Sequence, residues 1–315
     1  MHIQDIFEIE VNAKGNLIDI HSTTNDQDQQ QTNETFSEKW TKVEEDKGVE
    51  ELENFQRDWF YSLYGFKDEN DLASYLKNKK LIFDAGCGLG YKAAWFAQLA
   101  PHATVVGMDF SDSVQIASAK YANIPNLFFI KGDIANTKLK PSTFDFVVCD
   151  QVIMHTEDPE KTFAHLVSIT ADGGEFACYV YSKKALPREL LDEYFRSATH
   201  ETTSEQLWEM SRQLTELGER LSKLKVSVDV PDIPLLGIKG GNYDIQRFIY
   251  WNFLKCFWRE DWSRSLCDAT NFDWYSPSNA RRFSKEEFLQ MGQVNNLSVS
   301  FQHTEEACHT ARFRK

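Results

Sequence analysis

From Leu81 to Tyr181 the chain alternates short apolar runs with helix-like segments, and this rhythm restricts the fold more than any other feature. LIFDA, TVVGMDF, LFFIKGD, FDFVVCD and GEFACYVY are continuous apolar runs, the pattern of strands buried on both faces. YKAAWFAQLA, SDSVQIASAKYA and PEKTFAHLVSIT read as the intervening helices, the second with Ser111 placed to cap it. Strands alternating with helices predict a parallel sheet with helices on both faces. Near the end, Ser284 and Glu287 fit a capping box before FLQM. LSVSFQHT and CHTARFRK then follow as two strand-like runs only a few residues apart, which predicts an antiparallel hairpin. The expected fold is α/β: a doubly wound, mostly parallel seven-stranded sheet with a C-terminal antiparallel hairpin.

The flanks have a different character. FEIEVNAKGNLIDI reads as two short strands around an Asn-Ala-Lys-Gly turn. TTNDQDQQQTNE is polar and low in complexity, as a linker or flexible arm would be. Phe36 to Leu76 reads as helical, anchored by Phe36, Trp40, Phe55, Trp59, Phe60 and Leu63. In residues 183–280, Leu207, Met210, Leu214, Leu217, Leu221 and Leu224 recur at steps of three and four, one apolar helical stripe. PDIPLLGIKGGNY reads as a loop, and DIQRFIYWNFLKCFW as a helix apolar on nearly all sides, hence buried. The expected organisation is an N-terminal arm with lid helices (1–80), a core (81–182), a helical aromatic-rich cap (183–280), and a last helix and hairpin (281–315) that complete the core.

Bulk properties exclude several functions. A formal charge of −14 argues against a broad nucleic-acid surface, which needs clustered Lys and Arg. No segment approaches the roughly 20 apolar residues needed to span a bilayer. The N-terminus MHIQDIFEIE has no basic stretch followed by an apolar run. The six cysteines form no CxxC pair, so buried thiols in a reducing cytoplasm are expected, with no metal site.

DAGCGLG sits at the exit of the first core strand and before a helix, where doubly wound sheets bind ligands. Gly86, Gly88 and Gly90 let the backbone approach a ligand closely. Asp109 ends the second strand, where a carboxylate can accept bonds from both ribose hydroxyls. Asp133 follows the third strand, placed to meet an adenine amine, with Ile134 available to pack on the ring. Asp84 puts an acid near the ligand's middle, which would repel a pyrophosphate but not a sulfonium with an ammonium group.

With FDAGCGLG at 83–90, VVGMDFS at 105–111, IKGDI at 130–134, FDFVVCDQVIMHTEDP at 144–159 and GGEFACYVY at 173–181, the chain resembles the class I S-adenosylmethionine-dependent methyltransferases. Within them it looks most like the branch that includes ubiquinone/menaquinone-type enzymes. The resemblance implies S-adenosyl-L-methionine as cofactor. It implies that Asp84, Gly86, Cys87, Gly88 and Gly90 surround the methionine part, and that Asp109 and Phe110 hold ribose and flank adenine. Asp133 and Ile134 would complete the adenine slot, and Asp150 and Gln151 would line the reacting end.

Methyl transfer from a sulfonium is an in-line displacement, so the protein chiefly aligns the reactants and excludes water. A base is needed only where the acceptor arrives protonated. His155, just past the fourth strand, is the base candidate, and Tyr181 the candidate acceptor-binding hydroxyl; a packing role is open for each. Trp40, Tyr243, Arg247 and Trp274 are candidate acceptor contacts, Arg247 because a buried guanidinium among aromatics wants an anion. The leading reading is a methyltransferase acting on a small-molecule acceptor. Three others stand: another transfer from the same cofactor, such as a transfer-RNA-related modification; a nicotinamide-dependent oxidoreductase, which Asp84 and the hairpin do not suit; and a non-catalytic cofactor-binding protein.

Overall fold

The computed structural model describes residues 2–44, 49–198 and 202–315. Two compact units emerge: Met1–Trp40, Glu53–Ser182 and Asn279–Lys315 form the first, and Thr41–Leu52 with Lys183–Ser278 the second.

In chain order the first part contains strands β1 (Ala13–Lys14) and β2 (Leu17–Asp19) and helices α1 (Gln27–Glu44), α2 (Val49–Tyr64) and α3 (Glu69–Leu76). The core follows as β3 (Leu81–Ala85), α4 (Tyr91–Leu99), β4 (Thr104–Asp109), α5 (Ser113–Lys120), β5 (Leu127–Lys131), β6 (Phe144–Cys149), α6 (Pro159–Ile169) and β7 (Thr170–Ser182). The next stretch holds α7 (Leu186–Ala198), α8 (Ser204–Lys223), β8 (Ser227–Val230), β9 (Gly241–Asp244), α9 (Ile245–Asn252) and α10 (Arg264–Tyr275). The chain closes with β10 (Arg282–Phe283), α11 (Lys285–Val294), β11 (Ser298–Thr304) and β12 (Cys308–Arg314).

Seven strands run in the order β5-β4-β3-β6-β7-β12-β11. The first five are parallel, β12 runs antiparallel to β7, and β11 antiparallel to β12. This is the doubly wound sheet closed by a hairpin that the apolar runs predict. Their continuity has its cause in burial: Ile82, Phe83, Val105, Val106, Phe146, Val147 and Val148 are all fully buried. Ser284 and Glu287 form the expected capping box of α11. Three short strands extend the sheet. β2 lies parallel to β5 and pairs with β1, so the N-terminal turn is part of the sheet edge, and β10 pairs with β7.

Several expectations need correction. The polar stretch expected as a linker is helical from Gln27, since Asp26 caps it by accepting from the Gln29 N–H at 2.7 Å. Two of its polar residues accept from loop N–H groups, Gln29 from Glu157 and Thr32 from Asn279, and Ser37, in the part expected to be helical, accepts from Asp112. The helical expectation across 45–48 lies outside the described residues. Ser111 does not cap α5; its hydroxyl donates to Asp109 at 2.6 Å, and Asp112 occupies the cap position without a side-chain capping bond, its carboxylate pairing with Lys131 instead.

In the second unit the buried face of α8 is rotated from the leucine stripe. Leu207 and Leu214 are buried, but Leu217 is 38% exposed, while Trp208, Ser211, Thr215 and Gly218 face inward. Trp208 stacks on Phe272 of α10 at 3.9 Å, and Asn271 donates to the Thr215 hydroxyl at 3.0 Å. A Cβ at Gly218 would collide with the Cys256 carbonyl, which is why small residues line this face. The segment expected as one long buried helix is helical only over Ile245–Asn252 and largely half-buried. The Pro/Gly loop leads into β9, which pairs antiparallel with β8.

Candidate active site

The glycine loop is pinned to the neighbouring strand. The N–H groups of Gly86 and Cys87 both donate to the Met108 carbonyl, at 2.8 and 2.9 Å. Gly86 has φ 82°, a left-handed conformation that costs L-residues with a Cβ roughly 1–2 kcal/mol. A Cβ there would also drive into the Val152 side chain. Gly86→Ala should therefore lower stability by about 2–4 kcal/mol, backbone strain plus overpacking. Urea unfolding without ligand would read this, and an unchanged midpoint would count against the loop geometry. At Gly88 a Cβ would sit 3.3 Å from the Trp40 indole, so Trp40 lies directly against the loop.

Asp109, at the end of β4, accepts the Gly88 N–H at 2.7 Å through one oxygen and the Ser111 N–H and hydroxyl through the other. Burial raises its pKa, and these bonds pull it back down. Phe110 follows, half-buried. Asp133, after β5, caps its own turn by accepting the Ala135 N–H, while its own N–H donates to Ser22 of the N-terminal arm. Burial raises its pKa too, and Ile134 beside it is buried. Cys87 turns inward, its thiol against Gly107, and burial pushes the thiol well up.

Beneath the loop lies a group of buried charges that sequence reasoning only half found. Asp150 follows β6 and pairs with the buried Lys92 of α4, and its other oxygen accepts the Tyr64 hydroxyl at 2.9 Å. Gln151, left-handed at φ 66°, donates to the same carboxylate at 3.3 Å. Asp84 is 1% exposed, and its Oδ2 has no hydrogen-bond partner. Burial raises its pKa to about 7, with Asp150 and Asp109 adding to the shift and Lys92 opposing it. Lys92 went unread in the sequence, although a lone cation inside the otherwise apolar YKAAWFAQLA was a visible signal.

His155 is 5% exposed, and its Nδ1 lies 2.6 Å from the Asn279 carbonyl. A carbonyl only accepts, so Nδ1 carries a hydrogen, and in the neutral ring Nε2 keeps a lone pair. The Tyr181 hydroxyl lies 3.4 Å from that Nε2, and the Phe36 ring meets the imidazole edge-on at 4.8 Å. Tyr179 and Tyr181 share a sheet face, their centroids 6.0 Å apart.

The other three candidates belong to the second unit. Arg247 is half-buried in the first turn of α9, its guanidinium 5.5 Å from the Tyr250 ring. The fully buried arginine is instead Arg188, held by Asp192 and the Tyr250 carbonyl. Trp274 donates its indole N–H to Asp192 at 2.9 Å, and Tyr243 donates to the Lys239 carbonyl.

These residues fit S-adenosylmethionine. A buried carboxylate with an oxygen left unbonded suits an ammonium, left-handed glycines shape the loop beside it, and carboxylates end β4 and follow β5. Among the described residues no helix is long and apolar enough to cross a membrane.

Residues 83–178 match the methyltransferase domain family. Over 116 residues the chain is 30% identical to an uncharacterized methyltransferase of Schizosaccharomyces pombe, covering 34% of this chain and 42% of that one. Over 105 residues it is 30% identical to an uncharacterized methyltransferase of Mycobacterium tuberculosis, covering 33% and 52%. Over 99 residues it is 33% identical to trans-aconitate 2-methyltransferase of Deinococcus radiodurans, covering 31% and 37%. The matches thus span about half or less of each relative's length. Magnesium protoporphyrin IX methyltransferase from Synechocystis PCC 6803, solved with bound SAH, aligns with TM-score 0.49 at 14% identity over 91% of this chain and 100% of that one.

Proposed function

We propose that this chain, whose residues 83–178 match the methyltransferase domain family, is a class I S-adenosylmethionine-dependent methyltransferase that transfers a methyl group to a small organic acceptor. The observation that carries the reading is Asp84: a buried acid with one oxygen unbonded, beside a left-handed glycine loop. An unpaired buried carboxylate is costly, and a cationic ligand group removes that cost. The cofactor supplies an activated methyl on a sulfonium. The residues align and desolvate: Asp84 receives the amino end, Asp109 the ribose, and Asp133 with Ile134 the adenine. The name of the trans-aconitate relative supports a metabolite-sized acceptor.

His155 then takes the acceptor's proton at Nε2, held in that tautomer by Asn279, with the Tyr181 hydroxyl orienting the acceptor. Asp150 and Gln151 form the floor of the reacting end, with Asp150 itself fixed by Lys92 and Tyr64. Trp40 borders the glycine loop, and within the second unit Tyr243, Arg247 and Trp274 are the proposed acceptor-recognising side chains.

Incubation with methyl-labelled S-adenosylmethionine and a small-molecule extract of the host should move label into an extract component identifiable by mass. Label that stays in the cofactor across extracts, or a transferred group other than methyl, would overturn the reading. Asp109→Ala should weaken cofactor binding tenfold to a hundredfold, the loss of charge-assisted bonds of roughly 1.5–3 kcal/mol. Unchanged calorimetric affinity in the folded variant would remove Asp109 from the ribose site.

A further inference from the structure

The buried charges under the glycine loop do not balance among themselves. Asp84 of β3 lies in register with Val148 of β6, two residues before Asp150, and the one lysine in this charge group, Lys92 from the first turn of α4, bonds Asp150 and lowers the pKa of Asp84. Asp109 of β4 also faces Asp84, as do the Cys87 thiol in the loop and Tyr91 of α4, with Glu53 of α2 beyond Tyr91 and Tyr64 of α2 on Asp150. A lysine buried to this degree would ordinarily shed its proton. Burial does act that way on Lys92, but Asp150, Tyr91 and Asp84 together carry its pKa above the ordinary value. Lys92 therefore holds a fixed positive charge inside the first unit.

Its two acids are treated differently. Asp150 is bonded by Lys92, Tyr64 and Gln151, so its charge is satisfied with no ligand. Asp84 keeps an unbonded buried oxygen. We propose that Lys92 is a positioning residue for the cofactor's amino-acid end: anchored by Asp150, its ammonium is the counter-charge that keeps Asp84 ionised enough to receive a cationic ligand group. Too little positive charge would leave Asp84 protonated and unable to pair. A lysine bonded to Asp84 itself would close the site to the ligand. Asp150 prevents that by holding Lys92 to one side. The inference rests on the reading of Asp84 as the ammonium partner, and it adds the residue that sets that partner's charge.

Two variants move the balance in opposite directions. Asp150→Asn removes a like charge and frees Lys92 toward Asp84, so the Asp84 titration should shift downward. The double variant Lys92→Met/Asp150→Asn removes the ion pair without stranding either charge, and because Lys92 acts on Asp84 more strongly than Asp150 does, the titration should shift upward. Each shift should be on the order of one pH unit, the usual effect of an adjacent charge. The readout is the carboxyl carbon-13 resonance of Asp84 in the free protein, assigned by its loss in Asp84→Asn, with the midpoint near 7 in the wild type. Calorimetric affinity for S-adenosylmethionine across pH should track the same midpoints. Midpoints that move together, or not at all, would overturn the proposal, since a packing role predicts no opposed shift. If the wild type fails to bind S-adenosylmethionine, the functional reading falls, while the carbon-13 titration still decides the role of Lys92.

Discussion

Asp84→Asn should stabilise the free protein at neutral and alkaline pH while cutting its affinity for S-adenosylmethionine at least tenfold. Burial pushes the folded carboxyl up to about 7, against an ordinary value of 3.8. Between those values the folded state binds more protons than the unfolded one, so stability falls as pH rises through the window. By pH 8 the penalty is nearly fully present, on the order of 4 kcal/mol for a shift of this size. Asn has no charge to lose, so the variant should be insensitive through that window. Its melting temperature should exceed the wild type's most at pH 8 and least at pH 4. Binding moves the other way, because the amide offers an ammonium only a neutral acceptor. Losing a charge-assisted bond costs roughly 1.5–3 kcal/mol, or tenfold to a hundredfold in affinity. Thermal melts from pH 4 to 8, together with calorimetry at pH 8, test both halves. A variant that binds normally, or whose stability gain is the same at every pH, would show that Asp84 is neither strained nor the ammonium partner.

That opposition of stability and binding marks the boundary of what the sequence discloses. The core sheet is legible because its cause is local: runs such as LIFDA and FDFVVCD carry their double burial in their own composition. The glycine spacing and the acids after β4 and β5 are legible for a similar reason, since they sit at fixed offsets from strand ends. Lys92 and Asp150 are 58 residues apart, and nothing near either residue announces the other. α1 was hidden by its polarity. Gln29 and Thr32 look like linker residues until the loop N–H groups that they accept from are known. In α8 the leucines drew attention to the wrong face, because Ser211, Thr215 and Gly218 are inside for their small size rather than their hydrophobicity. β2 joins the sheet through a register with β5, a pairing more than a hundred residues away that composition does not encode. The same holds for His155, whose place after β6 is readable but whose tautomer depends on the carbonyl of Asn279.

The largest expected effect on turnover falls on that histidine. The Nδ1 hydrogen is committed to the Asn279 carbonyl at 2.6 Å, which leaves Nε2 as the basic atom on the side of Tyr181. If the acceptor is a hydroxyl or an acidic carbon, it must give up a proton as it is methylated. His155→Ala should then reduce turnover by roughly 10²–10⁴-fold, the usual range for a general base, with cofactor affinity nearly intact. Tyr181→Phe should act mainly on the apparent acceptor affinity, since it removes a hydroxyl but leaves the imidazole basic. Its hydroxyl lies 3.4 Å from Nε2, a weak bond whose loss should disturb the ring little. The two variants separate the roles in one steady-state comparison. A base lowers kcat, and an orienting hydroxyl raises KM. An acceptor already ionised, such as a carboxylate, needs no base, and His155→Ala would then turn over at close to the wild-type rate. That result, in a variant binding cofactor normally, would return His155 to packing against Phe36 and direct the search for acceptors toward acids.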